Sequence, residues 1–228
     1  MINFAAKQHP NPNMKNFKAI FFDFDGTIAD TVNGILATMT ATFNELNIPL
    51  PPAEEMRATI GMLLGDALQK LGNLDNARRE LAVKTYQRLF SEVELPNTRI
   101  FPGVAQTLQQ LRSQGVKLAI VTSRGIGSLR LILTKNGILD CFDELVTRDN
   151  GFAPKPAPDM VNYLLQKMNL APQEVLVVGD TTFDIDMGNA AGCHTCAVTY
   201  GNHTAEMLKA SGCEYMVGSF GEIIDVAV

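Results

Sequence analysis

Residues 19–27 have the sequence AIFFDFDGT, in which four apolar residues lead directly into Asp23 and Asp25. Side chains alternate along a strand, so both carboxylates leave on the same side, at the carboxyl end where open α/β sheets bind ligands. Two such carboxylates repel each other unless a cation lies between them or one is protonated, and phosphoryl transfer through an aspartate uses both arrangements. Gly26 allows the backbone to turn beside a substrate, and Thr27 can bind the exposed backbone. A buried strand that ends in an Asp-Gly turn is the purely structural alternative.

The composition predicts a globular protein with one substantial core and a small second unit. Of the 228 residues, 46% are hydrophobic, and the formal net charge is -5. No apolar run approaches the ~18 residues that span a bilayer, and no secretory signal peptide is expected. The net charge and the lack of a lysine- and arginine-rich stripe argue against nucleic acid or a membrane as partner, whereas a small anionic substrate remains compatible.

The cysteine pattern favours a cytoplasmic protein with reduced thiols. The cysteines are too few and too scattered for a disulfide framework: Cys141, Cys193, Cys196 and Cys213. The segment CHTC, residues 193–196, resembles half of a zinc site, but no second pair has suitable spacing, so buried thiols are expected there. His9 and His203 lack a partner that would make either a catalytic base, and both are expected at the surface.

Alternation of apolar strands with amphipathic helices predicts a doubly wound, Rossmann-like parallel sheet. The intervening helices show apolar faces at helical spacing, such as Val104, Leu108 and Leu111. The predicted strands cover residues 18–22, 117–122, 143–147, 175–179, 195–198 and 215–217.

Residues 34–97 interrupt this alternation and contain only helical patterns. Leu64, Leu68 and Leu71 share one helix face, and a longer face follows from Ala82 to Val93. An insertion of this length directly after the first strand predicts a second, all-helical domain that covers the site. Residues 16–33 and 98–228 would then form the α/β core, and residues 1–15 a loose tail.

Three further segments place chemistry at strand ends. Thr122 and Ser123 end one strand, where a hydroxyl and free backbone N–H groups can hold phosphate oxygens. Lys155 lies between prolines in APKPAP, which stiffens a loop that aims an ammonium at a charged centre. Asp180 and Asp184 are one helical turn apart and suit a hard cation. The structural alternatives are a capped turn, a proline-rich loop and acids favoured by a helix dipole.

Four segments together resemble the four motifs of the haloacid dehalogenase superfamily, over residues 18 to about 200. They are FDFDGT, IVTS, the lysine of APKPAP, and GDTTFD. The helical insertion resembles the type-I cap of that superfamily. Four segments are similar to the phosphoglycolate phosphatase branch: Asp30-Thr31, residues 60–64, residues 101–104 and residues 189–192. The resemblance implies an α/β core with an inserted helical cap and a phosphatase acting on a small phosphorylated metabolite.

The resemblance also implies roles for the acidic residues. Asp23 is expected to attack phosphorus and form an aspartyl phosphate, while Asp25 protonates the leaving alkoxide and then activates water. Mg²⁺ is expected on the Asp23 side chain, the Asp25 backbone carbonyl and Asp180. Asp184 is expected to support the metal through water and to orient Lys155.

The phosphoryl oxygens are expected to bind Thr122, Lys155 and the Ser123 amide, beside the turn formed by Gly26 and Thr27. These donors would neutralise charge on the transferring group. Little other chemistry is required, so the remaining specificity would come from the cap.

Other activities within the superfamily are separated only in part. Asp25 argues against dehalogenases and the phosphonate-cleaving branch, and Ile35 stands where hexose-phosphate mutases carry a histidine. Inorganic pyrophosphatase and nucleotidase activities remain open. A non-enzymatic alternative is a phosphoacceptor switch, which would need neither the proton donor nor the cap.

One departure concerns the residues after Thr122, which are Ser-Arg instead of the Asn-Lys common among phosphoglycolate phosphatases. Arg57 and Arg88 are candidates for recognising a substrate carboxylate in the cap. The sequence does not determine the physiological ester or the oligomeric state.

Overall fold

A computed structural model describes residues 17–227 and shows a parallel sheet at the centre of the fold. The strands in this part of the chain are β1 (Ala19–Phe22), β2 (Ala29–Asp30), β3 (Arg99–Ile100), β4 (Lys117–Thr122), β5 (Glu144–Thr147), β6 (Val175–Gly179), β7 (His194–Val198) and β8 (Tyr215–Val217). Six of them pair in parallel, in the order β5-β4-β1-β6-β7-β8. Each predicted strand is present, with ends that differ by at most one residue.

The strand order reverses at β1. The chain first adds β4 and β5 on one side of β1 and then crosses to the other side for β6, β7 and β8. Such a reversal opens a crevice at the carboxyl ends of the strands. Asp23 follows β1 and Asp180 follows its neighbour β6, so the two aspartates lie at this crevice.

Helices cover both faces of the sheet. The α-helices of the described residues are α1 (Val32–Glu45), α2 (Ala53–Arg57), α3 (Leu64–Gly72), α4 (Asn76–Leu89), α5 (Val104–Ser113), α6 (Ile126–Lys135), α7 (Asp159–Met168), α8 (Thr182–Ala190), α9 (Ala205–Ala210) and α10 (Ile223–Ala227). Phe22 packs in the core with α5, α6 and α10, whereas Phe21 packs on the opposite face with α7. This division follows from the alternation of side chains along β1. The predicted α/β fold class is confirmed.

The segment between β2 and β3 is entirely helical, and we call residues 32–97 the cap. It contains α1 to α4, followed by a π-helical turn, Phe90–Glu94, and a 3₁₀ turn, Leu95–Asn97. The cap has its own hydrophobic cluster, drawn from residues 35–86, in which Phe43, Leu68 and Ala82 are fully buried. The cap therefore contains a hydrophobic cluster distinct from the clusters on the two faces of the sheet.

A two-stranded antiparallel ribbon joins the two ends of the cap and was not predicted. Ala29 of β2 pairs with Ile100 of β3, and Asp30 pairs with Arg99. Two residues per strand are too few to show an alternating pattern in the sequence. The ribbon holds the chain's entry to the cap and its exit side by side.

Three predictions, on the N-terminal tail, the domain boundaries and the location, are not tested. The predicted tail, residues 1–15, lies outside the described residues, and the domain boundaries stay a prediction. No helix in residues 17–227 has the length and apolar composition needed to cross a bilayer. The cytoplasmic location also stays a prediction.

Candidate active site

Lys155 lies between two carboxylates at the crevice. Its Nζ donates to Oδ1 of Asp23 at 2.6 Å and to Oδ1 of Asp184 at 2.6 Å, and its side chain is 2% exposed. Oxygens of Asp23, Asp180 and Asp184 lie within 4.8 Å of one another. The structure therefore brings together a lysine and three aspartates that come from three different segments of the sequence, since Asp180 and Asp184 share one segment.

Asp180 is held by donors on both of its oxygens. Thr27 Oγ1 donates to one oxygen at 3.1 Å, while the Asn202 backbone and side-chain amides donate to the other at 2.7 and 2.8 Å. Gly26 has φ of 91°, and a Cβ at this position would overlap Asp180. Glycine is needed there both for the backbone conformation and for the close approach. Asn202 was not predicted, and Thr27 binds Asp180 and not the backbone.

Asp184 lies in the first turn of α8 and has both oxygens in use. Its Oδ1 accepts from Lys155, and its Oδ2 accepts from the Thr181 backbone N at 3.0 Å and from Thr181 Oγ1 at 2.6 Å. The reciprocal contacts of Thr181 and Asp184 form a capping box. Both oxygens are therefore bound to protein donors, which fits a residue that orients Lys155.

Burial and mutual repulsion perturb the pKa values of this cluster. Burial, with added repulsion from Asp184, raises the pKa of Asp180 to about 7. Burial also raises the pKa of Asp23 well above its usual range, although Lys155 opposes the rise. Burial disfavours the charged form of Lys155, but Asp184 and Asp23 outweigh that effect and raise its pKa. Three buried carboxylates against one ammonium leave an excess of negative charge, which a hard divalent cation would compensate.

Thr122 and Ser123 lie across β1 from Asp180. Thr122 ends β4, is buried, and accepts a hydrogen bond from the Arg124 backbone N at 3.1 Å. Both residues line the same cleft as Asp23 and Asp25. Their placement matches the predicted phosphate-binding position, whose role stays a prediction.

Arg124 connects Asp25 to the cap. Its Nε and Nη2 contact both oxygens of Asp25, at distances from 2.5 to 3.1 Å, and its Nη2 lies 2.6 Å from Oε1 of Glu94. The Tyr86 hydroxyl donates a short hydrogen bond to the other oxygen of Glu94. The Arg124 and Glu94 side chains are 7% and 0% exposed. The sequence identified Arg124 only as a departure from relatives and missed Glu94.

A cleft of about 390 Å³ lies between the sheet and the cap. Asp23, Asp25 and Thr122 line its core side, and the cap supplies the opposite wall. Ligand sites of small molecules have similar volumes. Asp23, held by Lys155, thus faces a cavity large enough for a substrate.

The two arginines predicted to bind a substrate carboxylate lie outside the cleft. Arg88 is exposed and forms an ion pair with Glu45 at 2.5 Å, and Arg57 is exposed beside a smaller pocket. Neither of these arginines lines the large cleft. They are therefore poorly placed to contact a substrate held at Asp23.

The histidine and cysteine predictions had different outcomes. His203 is half-buried, and its Nδ1 accepts a hydrogen bond from the Thr182 backbone at 3.0 Å, so the expectation of a simple surface residue was wrong. This contact lies at the first turn of α8. Cys193 and Cys196 are buried and form no disulfide, as expected.

The fold and this site match a known hydrolase family. The model of the haloacid dehalogenase-like hydrolases matches residues 20–198, and the chain belongs to that family. A relative from Dickeya dadantii (strain 3937), named Probable phosphatase IndB, is 34% identical over 212 residues, which cover 91% of this chain and 92% of that protein. The predicted superfamily and the predicted enzyme class, a phosphatase, are confirmed.

Two further relatives carry a more specific name. A phosphoglycolate phosphatase of Vibrio vulnificus (strain CMCP6) is 28% identical over 222 residues, covering 94% of this chain and 97% of that protein. Among solved structures, a predicted phosphoglycolate phosphatase from Haemophilus somnus 129PT is similar with a TM-score of 0.86 and 27% identity. The match covers 94% of this chain and 100% of that one.

Proposed function

We propose that this chain hydrolyses small phosphomonoesters through a phosphorylated Asp23 and depends on Mg²⁺. The observation that carries the proposal is the position of Asp23, which faces the cleft while Lys155 holds one of its oxygens at 2.6 Å. A buried ammonium orients the carboxylate and adds positive charge where a transferring phosphoryl group would lie.

The residues around Asp23 fit a divalent cation. Asp23 and Asp180 would hold Mg²⁺ with their side chains, and Asp25 with its backbone carbonyl. Asp184 would support the metal through water and orient Lys155. When bound, Mg²⁺ supplies positive charge that offsets the phosphoryl oxygens and the buried carboxylates. Thr27 and Asn202 fix the orientation of Asp180 for this purpose.

Two displacements at phosphorus complete the reaction. In the first, a carboxylate oxygen of Asp23 bonds to phosphorus, the bond to the leaving oxygen breaks, and Asp25 gives that oxygen its proton. In the second, Asp25 takes a proton from water, the water oxygen bonds to phosphorus, and the bond to Asp23 breaks. Inorganic phosphate leaves, and both aspartates return to their starting states.

The phosphoryl oxygens would bind Lys155, the Thr122 hydroxyl and the Ser123 amide during both steps. These groups belong to the end of β4, to the residue directly after it and to the loop before α7, so the fold positions them before the substrate arrives. Pre-positioned donors stabilise developing charge at little reorganisation cost. The cap would exclude water and contact the leaving group.

The direct test is phosphate release by the purified chain. We would assay phosphoglycolate, sugar phosphates, nucleotides and pyrophosphate, and rank them by kcat/KM. Release should require Mg²⁺, cease in excess chelator and return on adding Mg²⁺, while Ca²⁺, with its looser geometry, should restore it poorly. Full activity in excess chelator would refute the metal assignment.

The same substrates separate the alternatives when the products and the lifetime of the phosphoenzyme are also measured. Preference for pyrophosphate or nucleotides would favour those activities, and isomerisation of hexose phosphates would favour a mutase, although Ile35 lines the cleft where mutases carry histidine. A phosphoenzyme that persists for minutes would indicate a phosphoacceptor switch.

A further inference from the structure

The cap side of the cleft is an apolar wall without a cation. Two of its polar members, Gln87 and Ser91, are uncharged and exposed at the surface, whereas Thr59, Tyr86 and Glu94 are buried. Within the described residues, no cap residue that lines the cleft is an arginine, a lysine or a histidine. The larger apolar members of the wall are Ile35, Met39, Ile60, Met62, Leu64 and Phe90.

The charged cap residue at this cleft is an acid. Glu94 is fully buried and shares the single positive charge of Arg124 with Asp25. One guanidinium against two carboxylates leaves a surplus negative charge at the boundary between core and cap. A second carboxylate brought in by a substrate would meet repulsion there, which is stronger in a buried site than in water.

The remaining arginine of the cleft is also compensated. Arg148 belongs to the core side, and its Nε lies 3.5 Å from a carboxylate oxygen of Asp149, which lines the cleft as well. Arg124 is therefore engaged by two buried or nearly buried carboxylates, and the positive charge of Arg148 is partly offset by Asp149.

The size of the cleft points in the same direction. At about 390 Å³ it exceeds what a phosphoryl group with a short leaving group would fill. A small polar leaving group would leave most of the apolar wall against water, whereas a bulky one would bury it, and removing apolar area from water stabilises a complex.

From these observations we infer that the cleft selects phosphate esters with a bulky, uncharged and largely apolar leaving group and disfavours carboxylate-bearing ones such as phosphoglycolate. The inference rests on the proposed phosphatase function. The cap wall and Glu94 determine the specificity, with the apolar residues contacting the body of the leaving group. Gln87 and Ser91 are placed to bind its polar substituents.

Matched esters separate size from charge. We would compare benzyl phosphate with para-carboxybenzyl phosphate, and ethyl phosphate with phosphoglycolate, using the full chain with Mg²⁺. We expect kcat/KM for benzyl phosphate to exceed that for ethyl phosphate, and each carboxylate to lower kcat/KM, by about 10-fold or more. The two esters of each pair have similar leaving oxygens, so the ratio of their kcat/KM values reports on contacts with the cleft.

Two variants test the wall itself. Glu94→Gln should reduce the penalty for the carboxylate in para-carboxybenzyl phosphate, whereas Glu92→Gln, at an exposed position outside the cleft, should leave it unchanged. Met62→Lys places a cation on the wall at a partly exposed position. It should likewise raise kcat/KM for the carboxylate-bearing esters. It keeps the test valid if Glu94→Gln does not fold.

The outcomes distinguish this inference from the proposed function. No phosphate from any ester would refute the phosphatase function and the inference together. Phosphate release with phosphoglycolate equal to or better than benzyl phosphate would refute the inference alone. If the carboxylate lowered kcat/KM by the same factor in the native chain, Glu94→Gln and Met62→Lys, the wall would not discriminate between substrates by charge.

Discussion

Arg124 contacts both carboxylate oxygens of Asp25, so the predicted proton donor is held by a residue two positions beyond the end of β4. The same guanidinium reaches Glu94 in the cap. A carboxylate with both oxygens engaged is not free to approach a leaving oxygen, so in the proposed mechanism this ion pair would have to shift before Asp25 could act. Because Arg124 also contacts the cap, cap movement and the position of Asp25 are linked through one side chain.

Loss of Arg124 should destabilise the fold through Glu94. Arg124→Gln leaves a fully buried carboxylate without its cation, and breaking a buried pair in this way costs about 3–5 kcal/mol. The added change Glu94→Gln should recover part of that loss, since it removes the fully buried member of the two carboxylates, Glu94 and Asp25, that lose their cation. Urea unfolding monitored by circular dichroism measures both effects.

Arg88→Gln is the matched control, because its pair with Glu45 is exposed to solvent. Exposed pairs of this kind contribute little to stability. If Arg124→Gln cost no more than Arg88→Gln, the buried link between Asp25 and the cap would have no energetic importance.

Gly26→Ala should impair catalysis more than it impairs folding. A methyl group at this position overlaps Asp180, a predicted metal ligand, and the residue has φ of 91°. Gly115→Ala provides the control, since Gly115 has φ of 83° but nothing within 4 Å of its added Cβ. Both variants share the backbone strain, so only the first should raise the Mg²⁺ concentration for half-maximal activity. Equal Mg²⁺ dependence in both would contradict the close packing against Asp180.

The buried cysteines should resist alkylation in the native protein. Burial raises the pKa of Cys193 to about 12, and burial is also the main cause that raises the pKa of Cys196 to about 12. A raised thiol pKa reduces the reactive thiolate at a given pH. With iodoacetamide at about pH 8, below the ordinary thiol pKa of about 8.5, partly exposed Cys213 should react before either. Mass spectrometry of peptides would show this order, and native labelling of Cys193 as fast as in urea would contradict it.

The sequence predicted the parts of the site that depend on local pattern. Asp23 and Asp180 each follow a strongly apolar strand, Thr122 ends another, and parallel strands bring their carboxyl ends to one edge. Lys155 was predicted from its flanking prolines, and the structure places it against Asp23.

The remaining contacts depend on long-range packing that no local pattern encodes. Arg124 and Glu94 meet only because the cap docks on the sheet, and they are distant in the sequence. Asn202 lies in a loop after β7 and is recognised only by its two contacts with Asp180. Charge alone pointed to Arg57 and Arg88, but helix orientation turns both away from the cleft.

The central claim is that Asp23 is the nucleophile and Asp25 the acid and base. We would mix Asp23→Asn and Asp25→Asn separately with an activated, radiolabelled aryl or acyl phosphate, quench within a second, and look for acid-stable, hydroxylamine-labile phosphate on the protein. Asp25→Asn should become labelled, because the leaving group of the activated substrate needs little protonation. The labelled protein should then stall, because no base activates the water that hydrolyses the phosphoenzyme. Asp23→Asn should carry no label. Equal labelling of the two variants, or label on another residue, would contradict the assignment.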